Sequence, residues 1–186
     1  GLSQFTPKKS VTVLGDIGQG IFLNNGLERW DELRPIFPTL KSDVEELRVC
    51  YRSTFPIMTY ANAMLNRAGV EEEGLIIPLN RPGQMVATHP CNSDEERAQV
   101  VIEAIRAEQA SGRKTISVIC KSASECQHLA DLLHKADFHD FTSALNRDSR
   151  YRDDAVLLPA YLAKGLEFDA AIVADSHNYA SDDLSV

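Results

Sequence analysis

The residues best suited to chemistry lie close together in Ala163-Lys164-Gly165-Leu166-Glu167-Phe168-Asp169, a link between two apolar runs, 155–158 and 170–174, that read as strands. A basic residue, a glycine and two carboxylates in one short link suit a loop that binds phosphate or sugar, with Gly165 letting the backbone approach the ligand. A tight surface turn uses the same residue types. A second group is Gly15-Asp16-Ile17-Gly18-Gln19-Gly20, which follows a β-rich run at 11–14. Here a glutamine is flanked by glycines, and its amide can donate to one partner and accept from another. The third group is Tyr51-Arg52-Ser53. A strand ends near Cys50, and Ser53 is the expected N-cap of a helix with Pro56 in its first turn and Ile57, Tyr60, Ala61 and Met64 on one face. Open α/β sheets place their ligands where a strand's carboxyl end meets a helix's amino end. At such a corner Tyr51 offers a ring on which a base can stack, and Arg52 a planar fork for phosphates. A tyrosine packed at a sheet edge beside a solvated arginine is the plainer alternative.

Taken in chain order, these groups resemble conserved elements of the UvrD/Rep-like superfamily-one DNA helicases, in the C-terminal part that forms the second RecA-like domain. Gly15-Asp16-Ile17-Gly18-Gln19 is similar to that family's third motif, Tyr51-Arg52-Ser53 with Ala61-Asn62 to its fourth, and the stretch 163–169 to its fifth. The resemblance runs from about 11 to 175. The wording Tyr161-Leu162-Ala163-Lys164-Gly165-Leu166-Glu167-Phe168-Asp169 looks most like the HelD branch, helicase-like ATPases associated with bacterial RNA polymerase.

The resemblance implies an α/β fold of the RecA-like, P-loop NTPase type, with a mostly parallel sheet flanked by helices and no Walker A of its own. It implies roles as well. Arg52, an arginine finger toward the γ-phosphate, and Gln19, which links that phosphate to the nucleic-acid track, would be catalytic. Tyr51 would stack on adenine, Glu167 would contact the ribose, the Gly165 backbone would lie near the phosphates, and Asp16 belongs with this ATP-binding set. Lys164 and Asn62 would touch nucleic acid weakly. ATP and Mg2+ are the implied cofactors of the intact protein, with the first RecA-like domain, DNA and RNA polymerase as implied partners. The function expected is to complete the ATP site of an ATP-dependent DNA helicase or helicase-like translocase. The alternative is a non-enzymatic interaction module that binds RNA polymerase or another protein.

Several pieces of such a motor are not in this sequence. No Gly-x-x-x-x-Gly-Lys-Ser/Thr occurs, and Ser111-Gly112-Arg113-Lys114-Thr115 is better read as a helix-ending glycine before a strand. Asp31-Glu32 and Asp94-Glu95-Glu96 do not follow apolar strands, so the Mg2+ ligands are expected outside this chain. The family's sixth motif would lie beyond Val186. Residues 1–26 are therefore expected to be the tail of a preceding RecA-like domain, and 27–186 a second one cut before that motif. Alone, the chain is expected to be inactive as an ATPase, because phosphate cradle and metal do most of the positioning in phosphoryl transfer. The strand-gripping residues also differ. Leu23-Asn24-Asn25-Gly26 stands where the helicases carry an aromatic-Arg pair, and Pro159 and Tyr161 stand where they carry Thr and His.

Composition narrows the partners. Asp and Glu number 27 against 19 Lys and Arg, a net charge of −8, which argues against tight autonomous binding to nucleic acid. A hydrophobic content of 44% over 186 residues is enough to bury one full core. There is neither a membrane-length apolar run nor a signal-peptide pattern, so a cytoplasmic protein is expected. The four cysteines show no C-x-x-C spacing and the five histidines no i, i+4 pair, so no metal site is expected.

The elements that must position these groups alternate between periods of 3.6 and two. Helices are expected at 93–110, with Ala98, Val101, Ile102 and Ile105 inward, and at 122–135, with Cys126, Leu129, Ala130 and Leu133 inward. Each opens with a capping box, Ser93 with Glu96 and Ser122 with Glu125. A buried strand is expected at 115–120, and shorter ones at 75–78 and 85–89. Trp30, Leu33, Ile36 and Phe37 mark an amphipathic linker over 24–40.

Overall fold

The computed structural model describes residues 12–15, 32, 35, 45, 47–67, 69, 75–145 and 155–176. Branched apolar runs form the strands and the stretches between them the helices, in the order β1 (Val49–Cys50), α1 (Phe55–Arg67), β2 (Ile77–Pro78), α2 (Asp94–Ala110), β3 (Ile116–Cys120), α3 (Ala123–Lys135), β4 (Phe141–Ser143), β5 (Ala155–Pro159), α4 (Ala160–Ala163) and β6 (Ala170–Val173). β1 pairs with β2, and a four-stranded sheet runs β4-β5-β3-β6. All of these pairings are parallel. The fold class is therefore α/β with parallel sheets and flanking helices, as expected of a RecA-like domain. The chain divides into two compact units, Gly1–Val86 with Ser181–Val186, and Ala87–Ala180.

In the second unit both helix starts are fixed by side chains. Ser93 Oγ accepts the Glu96 N–H at 3.1 Å and Glu96 Oε2 accepts the Asn92 N–H at 2.7 Å. Ser122 Oγ accepts the Glu125 N–H at 3.2 Å and Glu125 Oε2 accepts the Lys121 N–H at 3.0 Å. The serines take up N–H groups that no helical carbonyl can reach, while the glutamates secure the entering chain. α2 ends at Gly112, whose φ of 82° suits a residue without a Cβ, and Arg113 N–H returns to the Glu108 carbonyl. α3 ends in the same way, with Phe138 N–H on the Leu133 carbonyl, but there Asp137 takes the left-handed conformation at φ 58°.

The side chains of β5 alternate between two cores because successive residues point to opposite faces. Ala155 and Leu157 join the inward faces of α2 and α3. Val156 and Leu158 join Ala144 and Leu162, with Phe168 and Tyr161 packed on them. The expected inward residues of α2 and α3 are all buried. β3 pairs in register with both neighbours, Ile116 standing opposite Ala155 and Ala170. β4 and α4 were not expected. α4 is a single turn between β5 and the 164–169 stretch, where a direct link between strands was anticipated.

The first unit departs further from expectation. α1 begins at Phe55, and the Thr54 carbonyl accepts the Met58 N–H, so the helix starts after Thr54 rather than after Ser53. Its buried residue is Met58, whereas Ile57 and Tyr60 are exposed and Ala61 and Met64 half-buried. The inward side follows 58, 62 and 65 because Asn62 is bonded to the backbone of Ile76, which turns that edge toward β2. No strand forms at 85–89. Residues 79–91 are all exposed and pair with no ladder, so their apolar members gain nothing from a pleated conformation. Nor do Thr12, Val13 and Leu14 form a strand; all three are exposed. Of the amphipathic stretch at 24–40 only Glu32 and Pro35 are described, and Trp30, Leu33, Ile36 and Phe37 lie outside the described residues.

Candidate nucleotide site

The corner between β1 and α1 carries the residues with the clearest chemistry. β1 is only two residues long, yet its pairing with β2 directs the chain outward at Tyr51, before α1 begins at Phe55. Tyr51 is 71% exposed, and Arg52 is exposed beside it. The corner is held from below by side chains that bond to backbone. Arg48 Nη2 donates to the Leu75 carbonyl at 3.2 Å, and the Arg48 carbonyl accepts the Ile77 N–H at 2.8 Å. Arg81 Nη1 donates to the Arg52 carbonyl at 2.9 Å and to the Tyr51 carbonyl at 3.4 Å. The Arg81 carbonyl in turn accepts the Phe55 N–H at 2.8 Å, one of the donors at a helix start that the helix itself leaves without a partner.

Asn62, expected at the nucleic acid, has its amide engaged elsewhere. Its Nδ2 donates to the Ile76 carbonyl at 2.7 Å and its Oδ1 accepts the Ile76 N–H at 3.2 Å, so it acts on β2 as a strand neighbour would. Gln19 and Asp16 lie outside the described residues.

In the second unit, Lys164 and Gly165 form a turn after α4 and Glu167 follows it, all three exposed. Gly165 has φ 80°, and Leu166 N–H closes back on the Ala163 carbonyl at 3.0 Å. The turn is anchored by Asp169, the second carboxylate of the link, which bonds to the backbone of the chain entering β3. Its carboxylate accepts the Lys114 and Thr115 N–H groups at 2.9 and 3.0 Å, and its own N–H reaches Thr115 Oγ1 at 2.9 Å. The backbone N–H of Thr115, then that of Lys114, hold its carboxyl below the usual range. Asp169 thereby fixes where β6 begins against β3, and so the far end of the 164–168 stretch.

Two further groups lie near the carboxyl ends of β3 and β6. Arg97 donates to Asp175 at 2.7 Å and to Asp94 at 2.9 Å. Burial works against the Arg97 charge, but the hydrogen bond and charge of Asp175 outweigh it and hold its pKa up. Asp175 sits at φ 52°, and nothing in its sequence setting announced this ion pair. Cys120 and Cys126 are both buried, and their shared hydrogen bond, followed by burial, pushes the Cys120 thiol up and keeps it protonated. Among the described residues no group of three His, Cys, Asp or Glu could hold a metal ion. None of the described helices is long and apolar enough to cross a membrane.

No known family model matches the chain, and no curated protein matches it. Among solved structures, the chain is similar to the crystal structure of the C-terminal domain of a possible DNA helicase from Lactobacillus plantarum WCFS1. The two share 30% identity over 48% of this chain and 56% of that one, with a TM-score of 0.42. The chain thus spans little more than half of that domain.

Proposed function

We propose that this chain supplies the second RecA-like domain's share of the ATP site in a superfamily-one helicase or helicase-like translocase. The observation that supports the reading most is the β1–α1 corner. Tyr51 and Arg52 leave the carboxyl end of a parallel strand in sequence, exposed, on a backbone tied down by Arg48 and Arg81. A ring that can stack on adenine next to a guanidinium that can reach a phosphate is the pairing a nucleotide needs.

In this role Arg52 neutralises charge that builds on the transferring phosphoryl group, and it acts across the cleft from the first RecA-like domain. By the resemblance, Glu167 and the Gly165 backbone would serve the ribose and phosphates, Asp16 would belong to the ATP-binding set, and Gln19 would link the γ-phosphate to the nucleic-acid track. Lys164 makes a weak contact to nucleic acid. Magnesium would neutralise the β- and γ-phosphates, and its ligands would belong to the first domain. A net charge of −8 fits a motor whose main grip on DNA lies elsewhere, or whose track is another protein such as RNA polymerase.

Steady-state ATPase kinetics on the full-length protein test the assignment. Arg52→Ala is expected to lower kcat by roughly 10³ or more with little change in KM, since the interaction forms mainly in the transition state. Arg52→Lys should restore little, because a point charge lacks the planar fork. Tyr51→Ala should instead raise KM, by about 1–2 kcal/mol of lost stacking. A near-normal kcat for Arg52→Ala would overturn the reading in favour of an interaction module.

A further inference from the structure

We propose that Arg81 is a positioning residue for this site, fixing the backbone from which Tyr51 and Arg52 project. The inference rests on the ATP-site reading for its effect on catalysis, but the geometry behind it is independent of that reading. Arg81 contacts the corner twice. Its guanidinium donates to the carbonyls of Arg52 and Tyr51, and its own carbonyl accepts the N–H of Phe55. Both ends of the four-residue corner are therefore bound to one residue about 30 positions further along the chain.

A second observation points the same way. A Cβ added at Gly83 would stand 2.5 Å from the Thr54 side chain, so the backbone just beyond Arg81 lies directly against the corner. The Thr54 hydroxyl is buried there without a hydrogen-bond partner, so it does not cap α1. The first N–H of α1, that of Phe55, thus depends on the Arg81 carbonyl for its acceptor, with no help from a capping hydroxyl at Thr54. A guanidinium suits this task because a single Nη1 carries two N–H groups, one for each carbonyl, and the group stays charged at any physiological pH. A corner held this way presents Arg52 in one place. Catalysis by a charge aimed at a transition state is sensitive to misplacement of about 1 Å, at a cost near a hundredfold in rate.

The experiment pairs ATPase kinetics with amide hydrogen exchange on the full-length protein, for Arg81→Ala, Arg81→Lys and Gly83→Ala beside Arg52→Ala. Arg81→Ala is expected to lower kcat about tenfold to a hundredfold. Arg81→Lys should recover part of the loss, since an ammonium can still reach one carbonyl. In Arg81→Ala, exchange at the amides of 52–55 should quicken by about tenfold or more while the thermal melt stays close to wild type. Gly83→Ala, which leaves the guanidinium intact and displaces only its backbone, should move both readouts in the same direction. If Arg52→Ala is impaired and Arg81→Ala is not, the positioning role is overturned and the ATP-site reading stands. If Arg52→Ala itself keeps a normal kcat, that reading falls, and Arg81 is then judged on exchange alone. Wild-type exchange through 52–55 in Arg81→Ala would overturn it there as well.

Discussion

Among the described residues, the two units differ in the kind of contact that holds their elements. Around β1, α1 and β2, polar side chains are tied to backbone: Arg48 to Leu75, Asn62 to Ile76, Arg81 to Tyr51 and Arg52. α1 buries Met58, while α2 and α3 each bury four residues against a parallel sheet. Apolar burial is non-directional and cumulative, so it makes a firm scaffold but does not aim a particular side chain. Hydrogen bonds to carbonyls are directional and add little net stability, about 1 kcal/mol each or somewhat more when charged, yet they fix where a short loop goes. Among the described residues, the contacts that meet the Tyr51-Arg52 corner are of the second kind.

The comparison breaks most visibly if the largest effects fall in the wrong unit. Arg52→Ala should cost activity, about 4 kcal/mol as a barrier for a 10³ loss, and leave the melting curve unmoved. Leu133→Ala, deep between α3 and the sheet, should do the reverse. A loss of roughly 2–5 kcal/mol in chemical denaturation is expected, with kcat retained in whatever fraction stays folded. A Leu133 variant as stable as wild type would mean that the second unit is not the scaffold.

A smaller change sharpens the picture of that scaffold. Asp137 holds a left-handed conformation at the end of α3, where Gly112 does the same for α2. Asp137→Gly should therefore stabilise by about 1 kcal/mol, read as a rise in melting temperature. The smallest effect belongs to Asp169. Its folded pKa is depressed, so its contribution is present above the unfolded carboxylate range and is lost as pH falls through the lower folded value. Asp169→Asn should lower the melting temperature slightly at neutral pH and flatten its fall at acid pH, so that the two curves converge below the folded carboxyl value. An unaltered acid limb would show that Asp169 is a bystander.

The same division decides what could be read from the sequence. Ala98, Val101, Ile102 and Ile105 repeat at helical spacing because a helix packed on a sheet must be apolar on one side, and Ser93 and Ser122 mark where each helix starts. These are local rules, and α2 and α3 obey them. The face of α1 was misjudged because a polar residue, Asn62, belongs to its inward side. Arg81 left no signal at all: between Asn80 and Pro82 an arginine reads as solvated, and only the fold brings it to Tyr51. The expected strand at 85–89 failed for a related reason, since alternation of residue types does not supply a neighbouring strand. Of the candidate site, the Tyr51-Arg52 corner and the Gly165 turn were legible as short motifs, whereas the residues that anchor them, Arg81 and Asp169, act over distances that spacing does not encode.

The strand order β4-β5-β3-β6 also has a consequence in time. β3 is the first strand of its sheet to be synthesised, yet both of its neighbours come later, after ~35 residues for β5 and ~50 for β6. At roughly 5–20 residues per second, the central strand waits about two to seven seconds with both edges bare, and up to about ten with one. Ile116, Val118 and Ile119 are the kind of residues that recruit a foreign strand in that interval. Chains released after β3 but before β5 are therefore expected to aggregate, and chains carried through β6 to remain in solution, a difference that sedimentation of stalled translation products would detect.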